Sequence, residues 1–166
     1  MGYSVMVEFS DEAIRARMLS FLERHLTPIS TMLGDEHAYV RGPVADPSYG
    51  KDDATDRLIG FDFTTSFPVE SRVAYLLCYW MARRVPGSTI WYDGHERREI
   101  PADCDEHGFE PLEWMEKRSL EIHMRRDQTS PDYVAYLNAE MEQISAYNAV
   151  VRGELERLTT LFAARG

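Results

Sequence analysis

The feature that most limits how this chain can fold is a seam of apolar residues late in the sequence. Val134, Leu137, Met141, Ile144, Asn148, Val151, Leu155, Leu158 and Phe162 follow one another at alternating steps of 3 and 4 across 29 residues. That spacing keeps every member on one face of an α-helix. Ser130, Pro131 and Asp132 just before it make a helix start, with a capping hydroxyl, a first-turn proline and an acid behind. A helix over 131–165 would be about 52 Å long, longer than a small domain is wide, so its seam needs cover along its whole length.

Two covers are open. The segment "PLEWMEKRSLEIHMRRD" (111–127) could fold back as the other arm of an antiparallel helical hairpin. Its own stripe of Leu112, Met115, Ser119 and Ile122 is thinner than the seam. The second cover is another copy of the chain. One Asn at a seam position is a device that fixes register and oligomer state, and Asn148 stands at such a position. A homodimer through this seam is the expectation. On that reading a chain cut before Ser130 would keep its fold and lose its oligomer. Residues 1–110 then form an α+β core module and residues 111–166 a helical hairpin that serves as an oligomerisation arm.

The core module reads as β-α-β-α-ββ. In "YSVMVEF" (3–9), Tyr3, Val5, Val7 and Phe9 alternate with Ser4, Met6 and Glu8, the period of a strand. Ser10 is read as a helix cap followed by Asp11 and Glu12, which suit the positive end of the helix dipole. Ile14, Met18, Phe21, Leu22 and Leu26 continue as an amphipathic helix that Pro28 ends, with His25 at the border of the stripe. Residues 34–57 read as a long loop with a short edge strand at 37–41. "RLIGFDFTTSF" (57–67) is a second strand, and alternation sets Gly60 and Asp62 opposite Phe61 and Phe63, on the face expected to meet solvent. From Pro68 to about Arg84 a helix is apolar on nearly every side, so it should be covered nearly all round, and Cys78 within it reads as a small core residue. "TIWYDGHERREI" reads as a hairpin with Asp93-Gly94 as a two-residue turn, setting Tyr92 against His95, Trp91 against Glu96 and Ile90 against Arg97. The whole is an α+β fold with a small, mainly antiparallel sheet.

Charge narrows the function classes. The chain carries 28 acids and 18 bases, a net charge of −10, which does not suit a surface that must neutralise phosphates. No run is long and apolar enough to span a bilayer, and the start carries no basic, apolar leader, so a soluble cytoplasmic protein is expected. The sequence has no nucleophile elbow, no phosphate-cradling glycine loop and no dinucleotide fingerprint. The leading expectation is therefore an acidic binding protein, of inhibitor or immunity type, that neutralises a basic protein partner without a cofactor. Its contact residues would be Asp35, Glu36, Asp46, Asp52, Asp53 and Asp56 in the acidic loop, with Tyr39 and Tyr49 as aromatic anchors. An alternative is a metal-assisted hydrolase-like enzyme. Cys104 and His107 have Cys-x-x-His spacing, His95 could join them, and Asp62 or Glu99 could act as base. The last alternative is a structural or phage-assembly component that works through the long helix.

Overall fold

The computed structural model describes residues 3–35, 40–45, 55–63, 68–93, 97–100 and 131–165. Its elements run β1 (Tyr3–Glu8), α1 (Glu12–His25), α2 (Ile29–Leu33), β2 (Arg41–Val44), β3 (Leu58–Phe63), α3 (Pro68–Arg84), β4 (Thr89–Asp93), β5 (Arg97–Ile100) and α4 (Pro131–Ala164), with a 3-10 turn at Thr55–Arg57 leading into β3. This is an α+β fold on one antiparallel sheet of five strands in the order β2-β3-β1-β4-β5.

The strand met first in the sequence lies in the middle of the sheet. β1 pairs with β3 from Tyr3↔Phe63 to Glu8↔Leu58, and with β4 from Ser4↔Asp93 to Glu8↔Thr89. The bond from the Phe9 amide to the Arg57 carbonyl, 2.8 Å, extends the ladder toward the 3-10 turn. One face presents Val5, Val7, Ile59, Phe61, Phe63 and Ile90 to the helices, and all of these are buried. The other face is not open to water as alternation suggested. Ser4 and Met6 are fully buried, Leu58 is 1% exposed and Asp62 9% exposed. Residue parity was legible in the sequence, but two central strands buried on both faces leave no solvent side for it to mark.

The helices stack outward from the sheet. α3 packs on β1, β3 and β4, and α4 packs on α3 and α2. α3 is thus covered on opposite sides, which is why Val73 to Met81 are buried without a break. Cys78 is fully buried and free, and burial pushes its thiol well above the usual range. α1 begins one residue later than expected. Asp11, not Ser10, is the cap, its carboxylate accepting from the Ile14 amide at 2.8 Å. An aspartate already extended at φ −148° can close that bond onto the first turn. The one-turn helix α2 had no expectation behind it. Ile29 and Leu33 stand one turn apart and are both buried, so burial holds a turn that is too short to stand on propensity alone.

Two strands differ from the sequence reading. The edge strand β2 runs over 41–44 and meets the expected 37–41 only at Arg41, residues 37–39 lying outside the described residues; it is held where Gly42 lies against Phe61. The β4–β5 hairpin exists, but its register pairs Ile90 with Ile100, Trp91 with Glu99, Tyr92 with Arg98 and Asp93 with Arg97. Three residues, not two, therefore connect the strands, and Arg98 takes the place expected for His95. The reason is patterning. The expected register set Ile90 against a charged Arg97, whereas this one puts it opposite Ile100 and in line with Val7 and Ile59.

The long helix behaves as two halves. Val151 and Leu158 are fully buried, and Leu155, Leu161 and Phe162 pack against the same core as the sheet. The C-terminal half of the seam is thus covered from within the chain. In the N-terminal half, Ala135, Ala139, Glu142, Ser145 and Ala146 are exposed, and Asn148 is half-buried. Segment 111–127 lies outside the described residues.

Candidate functional site

Among the described residues the most chemically loaded arrangement is built around Asp62 on β3. The β1–β3 register sets Ser4 opposite Asp62, and the β2–β3 register sets Arg41 opposite it from the other side. The Ser4 hydroxyl donates to Asp62 Oδ1 at 2.5 Å, and the Arg41 guanidinium donates to Oδ2 at 3.2 Å. A carboxylate this deep in a sheet is tolerated because both oxygens are engaged and one partner carries the opposite charge. The arrangement joins three adjacent strands. It is a poor nucleophile site, because the Ser4 hydroxyl is fully buried and its proton is committed to the carboxylate. Asp62, expected on the solvent face, is instead a buried acid with partners, and the trio's geometry is that of a cross-strand tie.

A second tie fastens α4 to the turn after α1. Glu154 accepts from the Thr27 amide at 2.9 Å and from the Arg157 guanidinium at 2.6 Å, and Arg157 also donates to the His25 carbonyl. Burial alone would raise the Glu154 carboxyl, but the bonds from Arg157 and Thr27 outweigh it and hold it below its ordinary range. A third tie is aromatic. Trp80 stacks near Phe21 at 6.0 Å, and Phe162 meets both edge-on at 5.8 and 5.3 Å. Thr159 receives Trp80 Nε1 at 3.0 Å and Arg84 at 2.7 Å, and Arg84 lies 4.3 Å over the Trp80 ring. His25, on the border of its stripe as expected, packs on Phe21 at 4.8 Å.

One shallow cleft of about 240 Å³ opens where α3 gives way to β4, between Tyr79, Arg83, Ser88 and Ile90. Glu99 also lines it, but it pairs with Trp91, the neighbour of Ile90, which sets its side chain toward the face of the sheet opposite Ile90. Ser88 is occupied, donating to the Val85 carbonyl at 2.7 Å. What the cleft offers a ligand is the Arg83 guanidinium, 5.8 Å from the Tyr79 ring centre, at a helix end whose dipole disfavours anions.

Of the residues expected to meet a partner, Asp35 and Asp56 are described and both are exposed. Asp35 follows Gly34, whose φ of 103° turns the chain out of α2. The backbone carbonyl of Asp56 accepts from Arg15 Nε at 2.7 Å, which anchors the 3-10 turn to α1. Glu36, Tyr39, Asp46, Tyr49, Asp52 and Asp53 lie outside the described residues. So do His95, Cys104 and His107, the proposed metal ligands. Among the described residues no three metal-ligating side chains come together. Glu99 is exposed on the edge strand.

Charge is unevenly distributed along the sequence. Residues 1–60 carry 10 acids and 6 bases, residues 61–100 carry 5 and 5, and residues 101–166 carry 13 and 7. Six acids against two bases fall between Asp35 and Asp56. Among the described residues no helix is long and apolar enough to cross a membrane. Compared with known proteins, the chain matches no family model, no curated protein and no solved structure.

Proposed function

We propose that this chain is an acidic binding protein that engages a basic protein partner in the cytoplasm, in the manner of an inhibitor or immunity protein. The observation that carries the reading is the acidic stretch from Asp35 to Asp56. That stretch holds six acids against two bases, together with Tyr39 and Tyr49. Concentrated negative charge accelerates encounter with a basic surface and penalises wrong partners, while aromatic side chains supply the desolvated anchor points.

The test is capture from an extract of the source cell, followed by titration calorimetry of the purified pair. A variant in which Asp35, Glu36, Asp46, Asp52, Asp53 and Asp56 become amides is run in parallel. A basic partner should bind the wild-type chain about tenfold or more tightly than the variant, weaken as salt rises from about 0.05 to about 0.5 M, and ignore a chelator. Binding indifferent to salt and to the variant would overturn the proposal. Loss of binding on chelation would favour the metal-assisted alternative at His95, Cys104 and His107.

Self-association belongs to the same reading. The C-terminal half of the seam is spent on the chain's own core, so pairing between copies would fall to Val134, Leu137, Met141 and Ile144. Native mass spectrometry tests this, with a species of twice the chain mass expected and a strict monomer at micromolar concentration against it.

A further inference from the structure

We draw no further inference here: the strongest candidate, the exposed face of α4 that carries Ala135, Ala139, Ala146, Ala149 and Val150, is a stripe of small residues, and nothing in the structure shows what covers it.

Discussion

Asp62 shows how far a single residue can be read from sequence. Its place on the pleat, sharing a face with Gly60, followed from counting, but its burial did not. Ser4 and Arg41 stand 58 and 21 positions away, and no local pattern announces them. Replacing Asp62 by alanine should cost about 1–3 kcal/mol, because the fully buried Ser4 hydroxyl then loses the acceptor it has. Arg41→Ala should cost less, since an ion pair with a partner 59% exposed is screened by water and the Asp62 carboxylate keeps its bond from Ser4. Urea unfolding of the two variants reads the difference, and equal costs would contradict the tie as described. Glu154 carries a pH signature. Its carboxyl is held below the ordinary value of 4.5, so its contribution is complete above that value and drains away as pH falls through the lowered one. Glu154→Gln should therefore be less stable than wild type by about 1 kcal/mol near neutrality. That gap should close as pH falls through the lowered carboxyl value. Denaturant melts at the two acidities measure it. The i,i+3 spacing of Glu154 and Arg157 was visible in the sequence; the Thr27 amide and His25 carbonyl they serve were not.

At the level of elements, type and rough extent were legible wherever one period ran long enough. β1, α1, β3, α3 and α4 all stand where alternation or helical spacing put them. Misreadings fell where local chemistry competed with burial. The Asp-Gly dipeptide argued for a two-residue turn, but matching Ile90 to Ile100 won and moved the register by three. β2 and α2 are too short for any period to show. Two glycines make the contrast measurable. A Cβ on Gly42 would strike the Phe61 ring and come within 2.8 Å of the Gly60 carbonyl oxygen, on a backbone at φ 154°. Gly153 is in α4 with nothing within 4 Å of that position. Gly42→Ala should lose about 1–3 kcal/mol as β2 is pushed off β3. Gly153→Ala should gain about 1 kcal/mol from helix propensity alone. Thermal melts of the pair should move in opposite directions.

For the molecule as a whole, the sequence reading drew a line at residue 110 between a folding core and an arm. The core crosses that line. Val151 and Leu158 are fully buried, enclosed with Phe21, Trp80 and the sheet face beneath α3. Leu158→Ala should lose about 2–5 kcal/mol, in the range of a cavity left in a packed interior. A chain cut before Ser130 should lack a cooperative transition and near-ultraviolet dichroism, instead of surviving as the folded monomer that the sequence suggested. Recovery of a sharp melt in that truncated chain would show the sheet and α3 to be self-sufficient. The seam was legible as a pattern, but a period cannot say which neighbour it meets, and α3, which meets it, is uniformly apolar and has no stripe of its own to match.

The central position of β1 has a consequence in time. Residues 3–8 leave the ribosome well before their two neighbouring strands, which are encoded at 58–63 and 89–93. The apolar back of α3 is not closed until residues 151–162 have followed. A nascent chain therefore carries β1 with no neighbouring strand until residue 63 has emerged and without the second until residue 93, and closes its interior only with residues 151–162. Pairings this far apart in sequence are of the kind that contact order makes slow to form.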